Sequence, residues 1–197
     1  MKAQRQDPKY RNILKMYSLP NSLEVSGKIY PINADFRNVL IIFQAFNDSN
    51  LSEREKAYIC IKRLYTGNVP VSEEALKKAY WFCDGGDMPK SEPEHTKTVD
   101  WQHDESIICP AVSKVLGIID VRSLPFLHWW TFLSAFGEIG DGLFSQVMNI
   151  RHKLAQGKKI EKYEREFIRK NRELIILRTA EEQAELDETR DFLEKIT

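Results

Sequence analysis

From Asp35 onward the chain repeats one pattern: an apolar stripe at helical spacing, then a short polar break. Phe36, Val39, Leu40, Phe43 and Phe46 follow Asp35, a residue suited to an N-cap, and Asn47-Asp48-Ser49-Asn50 ends that helix. Ser52-Glu53-Arg54-Glu55 has the spacing of a capping box and opens a helix carrying Tyr58, Ile61, Leu64 and Tyr65, stopped by Gly67. Ser72 caps a third helix, with Leu76, Ala79, Tyr80 and Cys83 on one face and Asp84-Gly85-Gly86 closing it. A fourth runs from about Asp100 to Gly117, with Pro110 expected to bend it or delay its start.

Leu127 to Gly137 is the densest aromatic segment. Ser123 and Pro125 are expected to open its helix, and Gly137 and Gly140 to break it before Asp141 starts the next, which runs through Leu154. Adjacent tryptophans point about 100° apart on a helix. Trp130 and Leu133 are expected to face inward, with Trp129 and Phe144 left near the surface.

Before Asp35 the period changes. Leu23 and Val25, then Ile29 and Ile32 beyond a Ser26-Gly27 turn, alternate as in a small β-hairpin, with Pro31 tolerable only at an edge. A lone hairpin is marginal in water, so it must dock on the helices or add to a sheet of another subunit. The expected fold is mainly α: one helical domain with a small N-terminal β-hairpin and a long, partly projecting C-terminal helical segment. Its divisions are a mobile arm at 1–17, the domain at 18–157 and a charged helical extension at 158–197. Residues 87–98, rich in proline and charge, read as an exposed loop.

The charge balance sharpens the reading of the last third. The chain holds 29 basic and 29 acidic residues. From Arg151 to Arg172, however, nine Lys/Arg face three Glu, and from Glu173 to Thr197 eight Asp/Glu face three Lys/Arg. Such blocks can pair within the molecule or head-to-tail between copies. The basic stretch, with Tyr163 and Phe167 interleaved, is the one feature that would suit a nucleic-acid backbone, but it is balanced at once by acids and shows no helix-turn-helix spacing. Nucleic acid is therefore an unfavoured partner. No apolar run approaches the roughly 20 residues that span a bilayer. Three widely spaced cysteines, Cys60, Cys83 and Cys109, argue against a disulfide framework and for a reducing cytoplasm.

Candidate chemistry is thin. His95, His103, Cys83 and Cys109 lack metal-ligand spacing. Asp100, Asp104 and Glu105 around His103 are acids of the kind the helix dipole favours in a first turn. His128 reads as a half-buried packing residue, and Gly85-Gly86 lacks the Lys-Ser/Thr of a phosphate loop. No enzyme, cofactor or small-molecule substrate is expected.

Several segments together resemble a known family. These are Leu19-Pro20, then Gly27-Lys28-x-Tyr30-Pro31-Ile32-Asn33 with Asp35-Phe36-Arg37, and next Ala79-Tyr80-Trp81-Phe82 with Asp84-Gly85-Gly86. Asp100-Trp101-x-x-Asp104-x-x-x-Ile108 follows, then Leu127-His128-Trp129-Trp130-x-Phe132 and Ile150-Arg151. In this order they resemble the bacteriophage family named for gene product fifteen, over about residues 18–178. The resemblance implies a phage or prophage protein from the tail-morphogenesis region, similar to the tail assembly chaperones that keep the tape measure protein soluble until tail-tube protein polymerises around it. It would act in the host cytoplasm, self-associate, and bind the tape measure, with tail-tube protein a further partner. A structural tail or connector component retained in the virion is the alternative. The side chains expected to meet a partner are Trp129, Trp130, Phe144, Tyr163, Phe167 and Leu174.

Overall fold

A two-residue turn sets the first element. In the computed structural model, which describes residues 18–86 and 98–177, Ser26 and Gly27 both take positive φ, 49° and 74°, as the short hairpin turn requires. They join β1 (Ser22–Val25) to β2 (Lys28–Pro31). The resulting register pairs Leu23 with Tyr30 and Glu24 with Ile29. Directly opposed residues share a face, so Tyr30 joins buried Leu23 and Val25 while Ile29 turns outward and is 73% exposed. Ile29, counted with Leu23, Val25 and Ile32 in the alternation, thus lies on the opposite face from them. The hairpin docks within its own chain: β1 packs on the third helix, where Glu74 accepts hydrogen bonds from the Ser26 N–H and hydroxyl. Pro31, at an edge, uses its carbonyl to accept from Thr66 N–H.

Eight helices follow among the described residues: α1 (Phe36–Asn47), α2 (Glu53–Leu64), α3 (Glu73–Cys83), α4 (Glu105–Leu116), α5 (Trp129–Gly137), α6 (Leu143–Ala155), α7 (Lys162–Lys170) and α8 (Arg172–Ile175). Their starts follow the caps. Asp35 accepts from Arg37 N–H, Ser52 and Glu55 form the complete capping box, and Ser72 accepts from Ala75 N–H. α4 begins at Glu105, after a turn in which Asp100 accepts from the N–H groups of Gln102 and His103. Pro110 sits inside α4, on its exposed side, where the carbonyl it leaves unpaired can reach water.

The tryptophan helix departs from expectation. It starts at Trp129 rather than near Ser123, and its N-cap is His128, whose Nδ1 accepts from Trp130 N–H. Two main-chain bonds to the residues ahead of α1 set this phase: Trp129 N–H donates to Ala34 and Phe36 N–H to Leu127. Trp129 is drawn beneath α1 and is 0% exposed, while Trp130 is half-buried. The two tryptophans therefore exchange the roles predicted for them. Leu133 is half-buried beside Trp130. Phe144 is buried too, edge-on against Phe136.

One core runs through the body. Phe36 stacks on Phe132 at 4.6 Å, and Trp101 meets Phe43, Trp129, Phe132 and Phe136. The C-terminal part up to Leu177 does not project as expected. α8 packs on α6, with Ile175 3% exposed and Phe167, Ile168 and Leu174 laid against the core. The predicted arm at 1–17, most of the loop at 87–98 and the tail from 178 lie outside the described residues.

Candidate functional site

Three residues at the start of α5 tie it to the hairpin entry and to the end of α3. His128 uses both ring nitrogens: Nδ1 caps α5 and Nε2–H donates to the Pro20 carbonyl at 2.9 Å. His128 is buried at 7% exposure rather than half-buried as expected, and it adds a capping function to its packing. Trp129 Nε1–H donates to the Cys83 carbonyl at 2.7 Å, and Trp130 Nε1–H to the Phe82 carbonyl at 2.9 Å. Both indoles thus close the C-terminal end of α3, whose last carbonyls need donors. Gly86 lies over the Trp130 ring at φ 97°, where a Cβ would come within 2.9 Å of the indole. Asp35 ties the same region together: it accepts from Leu127 N–H and pairs with Arg37 at 3.0 Å. The Arg37 guanidinium lies 4.6 Å over Phe36 and also donates to the carbonyls of Arg122 and Leu124.

The second constellation was not anticipated. Arg151 and Asp104 form a buried, two-pronged ion pair, with Nη1 and Nη2 each 2.7 Å from one carboxylate oxygen. Their side chains are 4% and 0% exposed. The remaining guanidinium donors go to main-chain carbonyls: Nη1 to Thr98 at 2.8 Å, Nη2 to Leu174 at 2.5 Å and Nε to Ile175 at 3.1 Å. All five N–H groups are used, which is the condition for burying a guanidinium. Asp104 also accepts from Asp100 N–H at 2.9 Å, and His103 Nε2–H donates to the Glu173 carbonyl at 2.8 Å. The successive carbonyls of residues 173, 174 and 175 thus meet buried or half-buried side-chain donors. That is how a four-residue helix keeps its C-terminal end satisfied.

A sequence signal for this site existed. Arg151 continues the stripe of Phe144 and Val147 at i, i+3 and i+7, so it occupies a buried position on α6. Assigning it to a basic stretch was the error. Lys153 is likewise engaged, with Nζ 2.6 Å from Glu164, a carboxylate that is 1% exposed. The Lys153 ammonium and the Glu161 N–H hold that carboxyl below the ordinary range. Two of the nine cations in the stretch are therefore spent inside the fold.

The expected partner-binding residues do not form one surface. Tyr163 is 64% exposed, Trp130, Phe167 and Leu174 are half-buried, and Trp129 and Phe144 are inside. The apolar side chains that do reach solvent include Val115, Ile119 and Phe126, which flank the 3-10 turn Val121–Ser123 between α4 and α5. Ile119 is 102% exposed and Phe126 55%. Sequence reasoning passed over both, because neither belongs to a periodic stripe.

Among the described residues no group of His, Cys, Asp and Glu is placed to hold a metal, and no helix is long and apolar enough to cross a membrane. His95, part of the metal set considered above, lies outside them. No curated protein and no solved structure matches the chain at a significant level. A family model described as Bacteriophage Gp15 protein matches residues 16–177, which takes in every element from the hairpin to α8. By that match over most of its length, the chain belongs to the bacteriophage Gp15 protein family, and so to phage structure and morphogenesis.

Proposed function

We propose that the protein is a tail assembly chaperone that binds the tape measure protein in the host cytoplasm, through an apolar surface and without catalysis. The observation that carries this reading is the exposure of Val115, Ile119 and Phe126 around the 3-10 turn. Their neighbour Val121 is 0% exposed, so this turn is anchored in the core and presents its apolar flanks outward. A soluble client-holding protein needs apolar contact area on a rigid support, and many weak copies along one extended client would act together through avidity. Tyr163 is a further exposed aromatic side chain. Family membership supports a role in phage morphogenesis; the client and the chaperone role are this proposal's own.

Co-expression with the tape measure protein tests it. The soluble fraction of the tape measure should rise with the wild-type chain and fall again with Ile119→Asp/Phe126→Asp, a pair that leaves the core untouched. A tape measure equally insoluble with and without the protein sinks the proposal. Mass spectrometry of purified particles separates the chaperone, absent from the virion, from a retained tail or connector component.

A further inference from the structure

Arg151 joins two stretches of chain that are far apart in sequence at their anchoring carbonyls, Thr98 on one side and Leu174-Ile175 on the other. We propose that this guanidinium makes the turn at 98–104 and the C-terminal strap at 172–177 a single latch, so that the two open and close as one unit. The coupling is physical, because the groups are shared. Nη1 holds Thr98 and Asp104 at once, and Nη2 holds Asp104 and Leu174 at once. Asp104 in turn accepts from Asp100 N–H, and His103, from the same turn, donates to Glu173. Arg151 and His103 thus carry hydrogen bonds from the turn to the strap, beside the side-chain packing of Leu174 and Ile175.

If the strap leaves, Nε and one Nη2–H lose their acceptors and water enters around a charge pair that is now buried. A hydrated guanidinium no longer holds the Thr98 carbonyl and the Asp104 carboxylate in fixed geometry, so the turn loosens with the strap. The reverse holds when the turn opens first. The strap is captured through its carbonyls rather than its polar side chains, so only Ile175 and Leu174 anchor it independently. A displacement of the strap at 172–177 is therefore felt at the turn at 98–104.

Hydrogen exchange on the full chain tests this with one substitution read at two places. Ile175→Ala removes strap packing and touches none of the clasp donors. Exchange should rise on the order of tenfold or more at residues 172–177 and also at residues 100–108, with β1, β2, α1 and α2 unchanged. A rise at the strap alone overturns the proposal. So does a rise spread evenly over α1 and α2, which would mark global unfolding, or no rise at either segment. Arg151→Lys keeps the charge but loses the planar fork, and should free both segments together; freeing one without the other refutes the shared latch.

Discussion

Trp129 illustrates how a single residue's role depends on a bond its sequence neighbours do not reveal. Its main-chain N–H donates to Ala34, its indole N–H to Cys83, and its ring stacks beside Phe132 at 5.7 Å. A surface site for partner contact would tolerate truncation; this one will not. Trp129→Ala should cost roughly 3–5 kcal/mol of stability by leaving a cavity. Trp129→Phe keeps much of the ring but orphans the Cys83 carbonyl, and should cost about 1–3 kcal/mol. Urea denaturation midpoints in that order check the assignment, and a Trp129→Ala midpoint equal to wild type would return the residue to the surface. Arg151 teaches the same lesson in polar form. Its place in a run of cations suggested solvent, while its place on the Phe144–Val147 stripe pointed inward, and the stripe prevailed because Asp104 and three carbonyls satisfy it.

The helices and turns were largely legible because their determinants are local. Asp35, Ser52 with Glu55, and Ser72 act within three residues of themselves, so their caps appear where the pattern put them. Elements whose boundaries depend on distant partners were misplaced: α5 begins late because residues 127–129 pair with residues 34–36 at the entry to α1. Ile29 was misdirected by simple alternation, since a two-residue turn makes cross-strand partners, Glu24 and Ile29, share the outer face. The turns also differ in what surrounds them. Gly27 and Gly86 both have positive φ, but a Cβ at Gly27 meets nothing within 4 Å, whereas at Gly86 it meets Trp130. Gly27→Ala should therefore carry only the backbone penalty, about 1 kcal/mol, and Gly86→Ala distinctly more. Thermal unfolding of the two variants side by side decides this; equal losses would mean that the Gly86–Trp130 contact is without consequence.

At the scale of the whole molecule, burial of the thiols makes stability depend on alkaline pH. Burial pushes the Cys60 thiol up to about 12 from an ordinary 9.0, and Cys83 and Cys109 are raised for the same reason. A group whose folded pKa is raised keeps its proton in the folded state after the unfolded chain has lost it. Its stabilisation is complete below the unfolded value and declines as pH rises toward the folded one. Stability should be flat through neutral pH and fall between about pH 9 and about pH 12. Denaturation curves across that range check it, and a midpoint still constant at about pH 11 would contradict the buried setting of the thiols.

Composition, stripes and caps were enough to determine a mainly helical chain with a small N-terminal hairpin, and the family segments carried the family; that the hairpin docks within its own chain was left to the tertiary structure. Seen in three dimensions, those segments prove to be the parts that hold one another: Asp35-Phe36-Arg37 against Leu127-His128-Trp129, Phe82 against the Trp130 indole, Asp104 against Arg151. What tertiary structure alone decided was which of two adjacent tryptophans is inside, that the chain through Leu177 lies on the body, and that Ile119 and Phe126 face solvent. The reason is range. A cap or a helical stripe is set by neighbours a turn away, whereas burial of an indole or a guanidinium is settled by whichever distant carbonyl or carboxylate completes its hydrogen bonds.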